Sequence, residues 1–332
     1  MARGQVAVVT GAAGFIGSHM VDLALQRGMA VRAIDNLSCG RLDNLRHHQG
    51  DPRLRFEAKD LRDVAPGDPL FEGADYVFHF AGIGDIVPSI ERPTDYLSAN
   101  VMGTVCALEA ARRAQVKKFV YAASSSCYGL ATELPTSERA PISPQYPYAL
   151  SKYLGEEAVL HWGRVYKLPA VSLRIFNAYG PRSRTTGAYG AVFGVFLAQK
   201  LAGRPFTVVG DGTQRRDFVF VTDVVRAFLM AAESDRASAV YNIGTGNPPT
   251  INRLVELLDG HGIVRVPKRP GEPDCTMADI SAIRAELGWS PTVGFEQGVG
   301  IMLDHIDAWR SAPVWDGASI AEATKTWFAC LT

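Results

Sequence analysis

The sequence predicts a doubly wound α/β fold, a parallel sheet with helices on both faces, followed by a smaller C-terminal α/β part. Three observations predict it. Apolar, β-branched runs alternate with helical patterns through the first half of the chain. The first run, Val6 to Thr10, ends on a glycine triplet, Gly11, Gly14 and Gly17, that opens a helical pattern. Beyond about residue 177 the loops lengthen, with glycine and proline clustered at 203–205, 210–212 and 267–271.

Each element has its own reading. After the strand Val6–Thr10, Gly11 permits a tight turn, Gly14 lets backbone approach a diphosphate, and Gly17 lets the next helix pack closely on the strand. The N–H groups of that helix's first turn attract phosphate. Such a turn alone is an ordinary strand-to-helix loop. Here a second strand, Ala30 to Ile34, ends in Asp35. A carboxylate there holds both ribose hydroxyls of NAD and repels the 2′-phosphate of NADP. The first half therefore reads as a Rossmann unit that binds NAD.

The loop from Asn36 to Gly40, with Ser38 in it, falls where the adenosine ribose would lie. A strand over 54–58 is closed by Asp60 and Leu61. Tyr76 to Phe80 is a buried strand running into Ala81 and Gly82, small residues that leave room for a ligand at a strand's carboxyl end. A long helix is expected from Tyr96 to Ala114, with Asn100 in its first turns. The strand Phe119 to Ala123, which contains Ala122, ends in Ser124-Ser125-Ser126. Four prolines make 134–147 a loop, and Tyr148 to Lys167 reads as a helix. The strand Val171 to Phe176 ends at Asn177. The expected organisation is 1–176 with about 216–240 as the NAD unit, and 177–215 with about 241–332 as the substrate unit. Ile320, Ala323, Trp327, Phe328 and Leu331 have helical spacing, so the tail is expected to pack back on the body.

Composition narrows the class. Of 332 residues, 47% are hydrophobic, enough for a large core. The 34 basic and 34 acidic residues balance, so nothing points to nucleic acid or an anionic membrane surface. No run reaches transmembrane length and no signal peptide is visible, so the cytoplasm is the default. The five cysteines, Cys39, Cys106, Cys127, Cys275 and Cys330, are scattered, and reduced thiols without a metal are expected.

Tyr148 and Lys152 stand four apart on one helix and share a face. An ammonium near a phenol favours the phenolate, which could act as a general base. Tyr-x-x-x-Lys recurs by chance on many helices. Its weight comes from the serines at the end of the preceding strand, one of which could hold a substrate oxygen.

These motifs together are similar to one family. Thr10 to His19, Asp35-Asn36, His79-Phe-Ala-Gly82, Ser124 to Gly129, Tyr148-Ala-Leu-Ser-Lys152 and Leu173 to Pro181 resemble an extended short-chain dehydrogenase/reductase of the nucleotide-sugar epimerase/dehydratase family, its UDP-galactose 4-epimerases most of all. The resemblance continues through Gly210 to Phe218, Arg269 to Glu272, Ala278-Asp279 and Leu287 to Pro291. It implies Ser124 as the catalytic hydroxyl, Tyr148 as the base, and Lys152 as its partner on the nicotinamide ribose. Gly11, Gly14, Phe15, Ile16, Gly17, Asp35, Asn36, Ser38 and Gly40 would cradle the NAD phosphates and ribose. Asp60 and Leu61 would meet the adenine, and Phe80, Ala81, Gly82, Asn100, Ala122 and Phe176 the rest of the groove. Asn177, Arg216 and Arg269 would hold the nucleotide diphosphate, with Ser126, Val192, Glu272 and Thr276 on the substrate side. Family members are commonly homodimers through the helices that here span about 96–114 and 148–167.

The resemblance also narrows the reaction. Members oxidise the sugar at C4. The 4,6-dehydratases then use an Asp-Glu pair at the positions of Ser125 and Ser126, and the decarboxylases a glutamate at Ser126. Serine is a poor proton shuttle at neutral pH. What remains is C4 epimerisation of a UDP-hexose through a 4-keto sugar. Small Thr276 leaves room for a 2-acetamido group. The alternatives are a dehydratase, a reductase or an epimerase at another carbon. A catalytically silent NAD sensor would not need Ser124, Tyr148 and Lys152.

Overall fold

The computed structural model describes residues 4–185 and 191–331. Among these are eleven strands: β1 (Val6–Thr10), β2 (Ala30–Asp35), β3 (Leu54–Ala58), β4 (Tyr76–His79), β5 (Lys118–Ser124), β6 (Ala170–Ile175), β7 (Asn177–Tyr179), β8 (Phe206–Val209), β9 (Phe218–Phe220), β10 (Ser238–Ile243) and β11 (Ile263–Val266). Seven form one sheet in the order β10-β6-β5-β4-β1-β2-β3, and every pairing is parallel. The expected doubly wound sheet is therefore the fold. The chain leaves β1 toward one edge and returns beside β1 as β4 to build the other half. That reversal opens a crevice at the carboxyl ends of β1 and β4.

Both sheet faces are covered, so the central strands are apolar throughout rather than alternating. On one face lie the helices Phe15–Gln26 and Val221–Glu233, packed on each other over Val9, Phe78 and Val120. On the other lie Gly103–Arg113 and Pro147–Tyr166, over Val8, Val77 and Phe119. A third core surrounds the parallel pairs β7–β9 and β8–β11, where Tyr179, Phe193, Phe206 and Phe218 meet.

The expected helix over 96–114 forms with a break. Pro93–Leu97 and Gly103–Arg113 are α-helical, and Ser98–Met102 between them is a π turn. The turn places buried Asn100 against the end of β4, where its Oδ1 accepts from Ile83 N–H at 2.8 Å. Single π turns of this kind concentrate at functional sites. The tail packs back as two short helices, Gly317–Ala323 and Lys325–Cys330, with Ile320 and Trp327 buried. Among the described residues no helix is long and apolar enough to cross a membrane.

Candidate active site

The glycine triplet does what its spacing requires. Gly11 has φ +66°, and a Cβ there would lie 2.7 Å from Ala81 N. A Cβ on Gly17 would lie 2.0 Å from Gly11 O, so only glycine lets the helix start this close to β1. Gly14 is the helix N-cap with extended backbone and no side-chain cap, which leaves the first turn's N–H groups facing the crevice.

One groove gathers every expected cofactor residue except Asn100: Gly11, Gly14, Phe15, Ile16, Gly17, Asp35, Asn36, Ser38, Gly40, Asp60, Leu61, Phe80, Ala81, Gly82, Ala122, Tyr148, Lys152 and Phe176. Asn100 stands behind it. Its amide also donates to Ser151 Oγ at 2.8 Å, tying the π turn to the helix that carries Tyr148 and Lys152. A Cβ on Gly82 would strike Asn100 Oδ1 at 2.6 Å. Asp35 accepts from Ala13 N–H at 3.0 Å and Leu37 N–H at 2.7 Å. Burial pushes its carboxyl up and those N–H groups pull it back. Asn36 donates to Asp60 at 2.8 Å, and the Arg62 guanidinium holds the Asp60 carboxyl well below its usual range.

Ser124 ends β5, and Tyr148 lies in the first turn of Pro147–Tyr166. Both line the cofactor groove, and the Ser124 hydroxyl pulls the Tyr148 phenol down. Ser124 Oγ lies 2.8 Å from Ser126 Oγ, and the Ser126 hydroxyl pulls the Tyr146 phenol down against its burial. Burial pushes the Tyr148 phenol up despite the Ser124 hydroxyl, and pushes the Lys152 ammonium down to about 7 despite Glu156. The attraction that the Tyr148–Lys152 spacing predicts is not among the causes of either shift; burial leads both. The Lys152 ammonium instead sits 4.5 Å over the Tyr121 ring.

A buried chain of hydrogen bonds supports the glycine turn. Ala81 N–H donates to Thr10 Oγ1, whose hydroxyl donates to His79 Nδ1 at 2.8 Å. His79 Nε2–H donates to Thr104 Oγ1 at 2.9 Å, and Thr104 donates to Asn100 O at 2.6 Å. The tautomer follows from the donors at either end. Burial, with some help from Lys152, pushes the His79 imidazole down to about 3.

On the substrate side, Arg216 and Glu272 line a second cleft with Gly210, Asp211, Thr213 and Lys268. Arg216 bonds Glu272 at 2.9 Å, and Arg269 takes the same carboxylate in a fork at 2.9 and 3.1 Å. Burial raises the Glu272 carboxyl, but the two guanidiniums hold it below its ordinary value. Two cations against one anion leave a positive excess that suits a diphosphate. Thr276 Oγ1 donates to Asn177 Oδ1 at 3.0 Å. Val192 is not brought to either cleft; it starts the helix Val192–Leu201 and packs against the third core.

Several lining residues escaped the sequence reading. Asp85 and Arg184 both line the cofactor groove and form an ion pair across it. No local spacing connects positions so far apart. Asp22, His47 and His48 also gather at one point, but Arg182 already shares the Asp22 carboxylate.

The pattern of the NAD dependent epimerase/dehydratase family matches residues 7–244. The chain is 36% identical over 301 residues to UDP-glucose 4-epimerase of Mycolicibacterium smegmatis, spanning 88% of this chain and 95% of that one. Among solved structures it is similar to the UDP-N-acetylglucosamine 4-epimerase of Methanobrevibacter ruminantium M1 in complex with UDP-N-acetylmuramic acid, with a TM-score of 0.84 and 32% identity over 92% of this chain and 100% of that one. The UDP-glucuronic acid 4-epimerase of Bacillus cereus, in complex with UDP-glucuronic acid and NAD, gives 0.85 and 30% over 92% and 99%.

Proposed function

Since the chain belongs to the NAD-dependent epimerase/dehydratase family, we propose that it is a cytoplasmic C4 epimerase of UDP-hexoses, 2-acetamido sugars included. The carrying observation is the meeting of Ser124, Tyr148 and Lys152 in one groove, with Ser125 and Ser126 beside them where acids would be needed for loss of water or carbon dioxide. The groove fits NAD: glycines stand where any Cβ would fill the cradle, and the Asp35 carboxylate waits at the ribose position.

Bound NAD supplies the hydride acceptor and returns the same hydride, so no net oxidation results. Ser124 holds the C4 oxygen, and Tyr148 takes its proton and later gives it back. Where Lys152 carries its proton, its charge would favour the phenolate. Arg216 and Arg269 anchor the diphosphate while the 4-keto sugar turns and presents its other face. The dinucleotide unit would then comprise the seven-stranded sheet and its helices, with the remainder holding the sugar nucleotide.

The protein would act as a homodimer. Leu97 and Met102 on one helical stretch, and Leu150 and Leu154 on its neighbour, leave large apolar side chains exposed. Light scattering on Met102→Glu with Leu150→Glu reads this: a monomer is expected, and an unchanged mass would place the contact elsewhere.

The experiment for the reaction is direct. Purified protein is denatured to release its nucleotide, and intact protein is given UDP-, dTDP-, GDP- and CDP-sugars with products read by NMR. Retained NAD and UDP-sugars inverted at C4 are expected. Loss of water or of carbon dioxide from the sugar, or no conversion, would overturn the assignment.

A further inference from the structure

Resting on that reading, we propose that Trp327 is a positioning residue for the diphosphate arginine Arg269, delivered to the cleft by the C-terminal segment acting as a strap. Its indole is buried between the turn that carries Arg269 and the aromatic ring of Tyr146. Its Nε1–H donates to Pro270 O at 2.8 Å, fixing the turn that carries Arg269. The Arg269 guanidinium lies 5.2 Å from the centre of the indole ring. The other edge of Trp327 meets Tyr146, with ring centres 6.3 Å apart. Tyr146 in turn lies parallel to Tyr148, also at 6.3 Å. A continuous line of contacts thus runs from Tyr148 through Tyr146, Trp327 and Arg269 to Glu272 and Arg216.

The strap is also anchored on a second element. Thr326 Oγ1 donates to Glu91 at 3.2 Å, and the helix Lys325–Cys330 packs on Ile86–Glu91, which starts directly after Asp85 in the cofactor groove. A diphosphate entering the cleft competes with Glu272 for Arg269. An aromatic face keeps a guanidinium in place during that exchange, because the stacking needs no partner atom that the diphosphate displaces. Loss of the ring should therefore weaken nucleotide binding more than chemistry.

The test compares full-length wild type, Trp327→Ala and Trp327→Phe. KM and kcat are measured with UDP-glucose, UDP affinity by calorimetry, and NAD content after denaturation. Trp327→Ala should raise KM and the UDP Kd about tenfold, with a smaller fall in kcat and full NAD content. Trp327→Phe should recover most of the affinity, since a ring still faces Arg269. Unchanged KM and UDP Kd in Trp327→Ala, or a Trp327→Phe no better than alanine, would reduce Trp327 to packing. Should alanine fail to fold, Trp327→Met keeps the bulk without the π face and is read the same way. A wild type that binds UDP but converts no UDP-sugar would defeat the proposed reaction alone, and the calorimetry would still judge Trp327.

Discussion

Tyr148 and Ser124 line one groove, with the Ser124 hydroxyl pulling the Tyr148 phenol down against its burial, although a loop with four prolines separates them in sequence. The start of one helix carries the first and the end of the sheet's β5 the second, so the pair is held from both sides. In the proposed reaction they are the acid/base group and the hydroxyl that holds the sugar oxygen. Tyr148→Phe keeps the ring and removes only the proton acceptor. Turnover should fall about 10²–10⁴-fold, with NAD content and melting temperature close to wild type. Turnover within a few-fold of wild type would take Tyr148 out of the mechanism.

Asp35 should set the cofactor choice. Its two oxygens are fixed by Ala13 and Leu37 N–H groups, and a Cβ on Gly40 would lie 2.7 Å from one of them. The carboxylate cannot swing away from an added 2′-phosphate. Repulsion at close range should disfavour NADP by on the order of 10²–10³-fold. Asp35→Ser with an arginine introduced nearby should relax the preference. Calorimetry on protein stripped of nucleotide decides it, and equal affinity for NAD and NADP in the wild type would refute the assignment.

His79 makes the fold acid-sensitive. Its imidazole is pushed down to about 3 in the folded chain, against 6.5 for the free side chain. On acidification the unfolded chain takes the proton first. The stability that neutral His79 contributes is complete above pH 6.5 and is lost as pH falls toward 3. Half-buried His19, pushed down to about 4, acts in the same direction. Urea unfolding at pH 6.5 and 4.5 should show wild type losing roughly 2 kcal/mol more than His79→Gln. Equal losses would mean that His79 is protonated in the fold.

The legible parts of this site are those where residue type answers a local demand. Gly11 and Gly17 announce a backbone that tolerates no Cβ, and Asp35 follows a strand at the distance a ribose requires. Ser124, Tyr148 and Lys152 were legible through the strand end and helix that carry them. The direction of the Tyr148 shift was not, because it depends on burial rather than on spacing. The π turn at Asn100 leaves no mark in hydrophobic period, since one extra residue in a turn only rotates the rest of the helix. The Asp85–Arg184 pair and the contact of Trp327 with Arg269 join segments from distant parts of the chain, which no periodicity connects.

Thr276 should set which sugars enter. Its hydroxyl donates to Asn177 Oδ1 at 3.0 Å and accepts from Asp217 N–H at 3.0 Å, and its own N–H donates to Arg215 O at 3.1 Å. It therefore stands between Asn177 and the segment that carries Arg216, beside the diphosphate that the two would hold, where the attached sugar would begin. Threonine is short, so an acetamido group at C2 finds space that a tyrosine would fill. Wild type should convert UDP-N-acetylglucosamine as well as UDP-glucose, and Thr276→Tyr should lose the first while sparing the second. The tyrosine also removes two hydrogen bonds, so Thr276→Val is the control: it keeps the size and loses the hydroxyl. Valine should retain activity on both sugars, with any loss shared equally, because steric exclusion and not hydrogen bonding sorts the substrates. A wild type that ignores the acetamido sugar, or a tyrosine variant equally poor on both, would show that the gate lies elsewhere.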